Sequence, residues 1–131
     1  MSGNFKLVKN YLLPLDLKIV DENESEELVV VEDEENGIRN LVIDCEAPIV
    51  ILEQLIMEVP KEPGDLFRRL LQMNRSLVHG AFVMDEDGKH LFFRDTLQLA
   101  NLDRNELEGS ISALSLGLAE NGAELLEYAT Q

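Results

Sequence analysis

LLQMNRSLVHGAFVMDEDGKHLFFRDTLQLANL, residues 70–102, is the stretch on which the fold turns. It opens inside an amphipathic pattern, with an apolar face at Phe67, Leu70, Leu71 and Leu77 and a polar face at Arg68, Arg69, Gln72 and Arg75. That is helical spacing. Asp65 stands where an N-cap belongs, and Gly80 breaks the helix. Ala81–Met84 and His90–Phe93 then read as two strands around Asp87-Gly88, a pair with tight-turn chemistry. Beyond Leu97 and Leu99, Asp103 and Glu106 stand at capping-box spacing. They open a long helix with a stripe at Leu107, Ile111, Leu114, Leu118 and Leu125. Gly109, Gly117 and Gly122 narrow that helix and allow close approach of a neighbour.

Working back from this frame, Phe5, Val8, Leu12 and Leu15 recur at helical spacing, with Asn4 placed to cap. Pro14 ends that helix near Leu13. Leu17 and Ile19 alternate with Lys18 as in a half-buried strand. Leu28–Val31 and Leu41–Ile43 flank Asn36-Gly37, which predicts a hairpin with a type I′ turn. Pro48 interrupts the ladder, and Ile49–Val59 is a longer strand bounded by Pro60 and Pro63. The reading is an α+β fold in the order α-β-β-β-α-β-β-α, with a fourth early strand where Leu17–Ile19 is counted. Tight turns between neighbouring strands make the sheet antiparallel, with the helices largely on one face. Residues 1–131 are expected to form a single domain.

The 131 residues carry 26 acids and 11 bases, a formal charge of −15. Such a charge repels phosphate backbones and anionic lipids, so neither nucleic acid nor membrane is the expected partner. The acids are unevenly spread. Nine lie in residues 21–35 with no base among them, and without those nine the charge would be −6. The segment reads as a solvated hairpin whose charge guards a strand edge, or as a docking site for a basic partner. Cys45, the only cysteine, has no internal disulfide partner, which fits a reducing, cytoplasmic setting. Lys6 and Lys9 interrupt the apolar pattern of residues 1–13, so no signal-peptide core is expected there. The most apolar run, Ile49–Val59, is too short to span a bilayer.

Chemistry-bearing residues are sparse. His79 and His90 are the only histidines, neither near Cys45 in sequence. Asp85-Glu86-Asp87-Gly88 resembles the start of a calcium loop but closes a strand hairpin, without the flanking helices or the bidentate Glu. Glu53 lies in an apolar strand with no second carboxylate spaced to make it a general acid. No phosphate loop, nucleophile elbow or zinc-ligand spacing occurs. Catalytic, cofactor and metal residues are therefore expected to be none. Surface carries more information. In Ile49–Met57 both alternations are apolar, and Phe92 opposes Leu91 and Phe93 across its strand. A second apolar sheet face calls for a cover, either the middle helix, a second subunit or a client chain.

Asn74, Gly80, Phe82, Asp85, Gly88, Leu97 and Leu99 lie in the order helix-end Asn, Gly-initiated strand, acidic Gly turn, second strand and L-x-L. That run, and the element order around it, resembles the class I type III secretion chaperones of the Tir chaperone family and the related YbjN-like bacterial domains. The second half is also similar to the YjfI-like family. The resemblance implies a non-catalytic homodimer, with no cofactor, that binds an extended client segment on its sheet. Phe67, Leu70, Leu71, Phe82 and Phe92 are then the expected dimer contacts. Phe5, Leu28, Val30, Leu41 and Ile43 are the expected client groove. The acidic charge favours a basic protein or peptide client. The alternative is a YbjN-like or YjfI-like regulatory or small-ligand-binding domain. It requires at least two of Glu53, Cys45 and the histidines to converge in one pocket.

Overall fold

The computed structural model describes residues 3–130. Helix α1 (Gly3–Leu12) passes into a 3-10 turn at Leu13–Leu15, as Pro14 requires. Asn4 lies inside its first turn rather than at the cap. Four strands follow: β1 (Lys18–Asn23), β2 (Leu28–Asp33), β3 (Ile38–Glu46) and β4 (Ile49–Glu58). Helix α2 (Leu66–Ser76), the hairpin β5 (Ala81–Met84) and β6 (His90–Gln98), and helix α3 (Arg104–Ala129) complete the chain. The six strands form one antiparallel sheet in the order β1-β2-β3-β4-β6-β5. Local hairpins account for every neighbour except β4 and β6. The α2 crossover places β6 beside β4 and leaves β5 on the edge.

The expected type I′ turn at Asn36-Gly37 is replaced by a longer connection. Glu34–Asn36 forms a 3-10 turn closed by Gly37 at φ +79. Asn40, at φ 51, then disturbs the start of β3, and the β3–β4 ladder begins at Val42 opposite Glu53. Gln54 repairs the gap. Its buried amide accepts from the Arg39 N–H (2.9 Å) and donates to the Gly37 carbonyl (3.0 Å), so a side chain continues the ladder. Two other turns match their chemistry: Ala47-Pro48 joins β3 to β4 and Gly88, at φ +70, joins β5 to β6. Asp103 caps α3 by accepting from the Glu106 N–H at 2.8 Å. Asp65 occupies the cap position of α2, but its carboxylate goes to the Tyr128 hydroxyl (2.5 Å) and Arg68 (3.3 Å) instead.

Register assigns the two faces of the sheet. Val29, Val31, Leu41, Ile43, Cys45, Val50, Leu52 and Phe93 point inward and are buried. Phe5, Val8 and Leu12 of α1 and Leu107, Ile111 and Leu114 of α3 close over them. A second cluster gathers Leu66, Leu70 and Met73 of α2 with Phe82, Leu91 and Leu125. All three helices thus cover the same face, and α2 leaves the opposite one open. The apolar side of α2 is rotated from expectation: Leu66, Leu70 and Met73 face inward, whereas Phe67 and Leu71 are 40% and 74% exposed. Adjacent apolar rows give this helix a stripe wider than the sheet can cover. No described helix is long and apolar enough to cross a membrane.

Candidate functional site

The open face of the sheet is where partly exposed apolar side chains gather. Leu28 and Val30 of β2, Val42 of β3, Ile49, Ile51 and Leu55 of β4 and Phe92 of β6 share it, by register. They are half-buried by one another, and Leu55 is 54% exposed. Antiparallel sheets with one covered face are usually polar on the other. This one carries an apolar patch at its middle, ringed by polar groups such as Asn23, Glu32, Glu46, Thr96 and Gln98. Glu53 and Arg94, paired across β4 and β6, form a salt bridge at 2.6 Å. Asp44 lies opposite Leu28 and Ile51. Burial, and then the negative charges of Glu46 and Glu26, push the Asp44 carboxyl above its ordinary range.

A carboxyl raised in the folded state contributes stability below its unfolded value, and that contribution is lost as pH rises through the folded one. Asp44→Asn is therefore expected to raise Tm at pH 7 and to change it little at pH 3. Thermal unfolding at the two pH values checks this. Equal shifts at both would mean that the ionised carboxylate is not the source.

The sheet has two edges, and they differ. At β5 the Asn74 side chain donates to the Phe82 carbonyl (3.1 Å) and accepts from the Phe82 N–H (2.7 Å), so α2 blocks that edge. At β1 no helix side chain among the described residues holds the strand backbone in this way. Lys18–Glu22 are all exposed, and Ile19 and Val20 are 43% and 38% accessible. A register shift at Val20 and the acids Asp21 and Glu22 modify this edge, with Lys9 of α1 bridging to Glu22 at 3.4 Å. The acidic run at residues 21–35 thus begins within an edge strand and borders the open face.

Of the expected client-groove residues, Leu28 and Val30 are on the open face. Phe5, Leu41 and Ile43 are not: each is fully buried in the core below the sheet. Alternation explains the split, because Leu41 and Ile43 oppose Val31 and Val29 on the inner side. Four expected dimer residues, Phe67, Leu70, Leu71 and Phe82, line one groove of about 220 Å³ between α2 and β5, with Asn74 and Met84. Phe92 is on the other side of the sheet, opposite Val83. Met84, 41% exposed, adds apolar surface to this groove and is not marked by spacing.

The titratable candidates do not converge. Cys45 points inward, opposite Val50, and burial pushes its thiol up to about 11. Glu53 points outward. His79 packs near Gly109 of α3. His90 binds Asp85 through Nδ1 at 2.7 Å. Burial opposes ionisation of Asp85, but hydrogen bonds from the backbone and ring of His90 and from the Lys89 N–H outweigh it and hold the carboxyl at about 2. Among the described residues Asp85, Asp87 and His90 have ligand-type atoms within 4.8 Å of one another, but Asp85 is committed to closing the hairpin. On the far side of α2, Arg69 makes a bidentate contact with Glu124 of α3 (2.7 and 2.9 Å), which clasps the two helices.

The fold is similar to that of YbjN from E. coli, with a TM-score of 0.69 and 14% identity over 92% of this chain and 92% of that one. A chain of the HopA1–SchA chaperone–effector complex matches with a TM-score of 0.63 and 12% identity, covering 88% and 89%. A chain of the complex of the Yersinia pestis type III secretion chaperone SycH with a stable fragment of YscM2 matches at 0.60 and 12%, covering 89% and 98%. No curated protein matches the sequence. The CesT_Tir_1 family profile matches residues 1–131, the whole chain. The protein therefore belongs to the CesT_Tir_1 family, a type III chaperone family.

Proposed function

We propose that the protein is a non-catalytic, cytoplasmic chaperone module that acts as a homodimer and holds an extended, basic segment of a client protein. The observation that carries this reading is the open sheet face, where the apolar side chains from Leu28 to Phe92 gather beside an accessible edge at β1. An extended chain gains backbone hydrogen bonds at such an edge and lays alternate side chains over the face beside Leu28 and Val30. Asp21, Glu22 and Asp44 make that position hostile to an acidic strand, including another copy of this chain, and favourable to a basic one. Family membership supports the protein-binding role. For the dimer, the support is the groove between α2 and β5 with the exposed Phe67 and Leu71 on its rim. Since Asn74 occupies the backbone groups of Phe82, such a dimer packs side chains and does not extend the sheet.

Light scattering is expected to give twice the chain mass for the natural protein and a monomer for Leu71→Arg. A ten-residue peptide alternating valine and lysine is expected to bind in fluorescence anisotropy, more weakly at high salt, and to lose affinity with Val30→Lys. A monomer together with no peptide binding would overturn the reading.

A further inference from the structure

Asp44 stands inside the apolar patch of the open sheet face. Leu28 of β2 and Ile51 of β4 lie directly opposite it, and Val42 precedes it on the same face of β3. Among the described residues Asp44 takes part in no salt bridge, and its Oδ1 is buried without a hydrogen-bond partner. Glu53, a carboxylate on the same face, is instead matched by Arg94 at 2.6 Å. The charges that do reach Asp44 are of its own sign. Glu46, next on this face of β3, and Glu26, in the turn before β2, both oppose its ionisation. A carboxylate so placed costs stability at neutral pH, and local conflicts of that kind collect at functional sites.

Building on the client-binding reading of this face, we propose that Asp44 selects an arginine of the client, set in the pattern apolar-x-Arg-x-apolar. Charge supplies the first argument. The partner Asp44 lacks is a cation, and an apolar residue laid over it would bury the carboxylate further without compensation. Arginine suits the place better than lysine. Its guanidinium is weakly hydrated and donates from a planar fork, and its methylene stem packs along apolar neighbours such as Leu28 and Ile51. Glu46 stands within the same stretch of face to share the remaining donors.

Register supplies the pattern. Val30 and Ile49 lie diagonally on opposite sides of Asp44, because Val30 faces Val42 and Ile49 faces Glu46. Diagonal neighbours in a sheet are about 7–8 Å apart, close to the roughly 7 Å between alternate side chains of an extended chain. A client segment crossing the face on this line sets its arginine over Asp44 and apolar residues over Val30 and Ile49. The other diagonal does not suit that pattern, since it passes over Glu53, already paired with Arg94.

The test uses three ten-residue peptides that alternate valine and lysine. One central valine is kept in the first, replaced by arginine in the second and by citrulline, the uncharged analogue of arginine, in the third. Each is titrated against the full chain by fluorescence anisotropy. The arginine peptide is expected to bind at least about tenfold tighter than the citrulline peptide, as one charge-assisted contact allows. Asp44→Asn is expected to bring the two within about twofold, the residue of screened surface attraction. Thermal unfolding of that variant at pH 7 verifies that it folds. Asp21→Asn removes the same charge from the β1 edge and is expected to keep the arginine preference. A preference that survives Asp44→Asn would overturn the proposal by revealing general attraction to an acidic surface. Binding of the valine peptide with no preference for arginine over citrulline would overturn it and leave the client reading standing. No binding by any of the three would overturn both.

Discussion

Gly80→Ala is expected to destabilise the protein by about 2–5 kcal/mol, the sum of backbone strain and overpacking. Gly80 sits at φ +71, a left-handed conformation that costs a residue with a Cβ about 1–2 kcal/mol. The added carbon would also stand 2.5 and 2.9 Å from the ring of Phe93 and 3.0 Å from the carbonyl oxygen of Arg94. Neither neighbour yields easily: Phe93 is 1% exposed on β6, between β4 and β5, and the Arg94 backbone pairs with Ala81 and Glu53. Gly88→Ala is the control. Its φ is +70, yet nothing lies within 4 Å of its Cβ, so only the strain component should appear, about 1–2 kcal/mol. Urea unfolding of both variants measures the difference. Equal losses would show that contact with Phe93 contributes nothing.

Asn74→Ala is expected to cost about 2–4 kcal/mol, because it leaves the N–H and C=O of Phe82 without partners beneath α2. Phe82 is 5% exposed, so water replaces the lost amide poorly. Asn74→Asp should fall between the two, since the carboxylate still accepts from the Phe82 N–H but cannot donate to its carbonyl. A second consequence concerns association. With Asn74 removed, β5 offers free backbone groups at a sheet edge, and concentration-dependent aggregation should rise. Asn74→Ala with unchanged unfolding and unchanged light scattering would remove the edge-blocking role.

These two residues were also part of the run that carries the family resemblance, and the structure gives that run a physical meaning. Asn74 and Gly80 bring the end of α2 onto the β5–β6 hairpin at a fixed distance. The groove of Phe67, Leu70, Leu71 and Phe82 exists because of that distance. The motif therefore marks the scaffold of that groove, and the client surface proposed on the open face uses other, chemically plainer residues.

Periodicity and punctuation made the elements legible in the sequence. Pro14 ends α1, Asp103 caps α3, and the β5–β6 turn falls at Gly88, since each of these depends on groups a few residues apart. Local chemistry also misled where distant groups compete. Asp65 was placed to cap α2 but bonds Tyr128, 63 residues away. Asn36-Gly37 had the composition of a two-residue turn, yet Gln54 reaches across to support a longer one. Gln54 looked like any polar residue in a strand, and no local pattern marks its role.

Which side of each element meets the core was decided only by tertiary packing. Sequence by itself determined an antiparallel α+β fold, its acidic hairpin, and a long strand apolar on both alternations. It could not separate Phe5, Leu41 and Ile43, which are core, from Leu28 and Val30, which border the open face. Nor could it show that α2 covers the inner face rather than the outer one, or that Phe67 and Leu71 would be left on a rim. Hydrophobicity along a chain records what avoids water. Whether the cover is a helix of the same chain or a partner depends on crossover geometry and register, which are set by contacts distant in sequence.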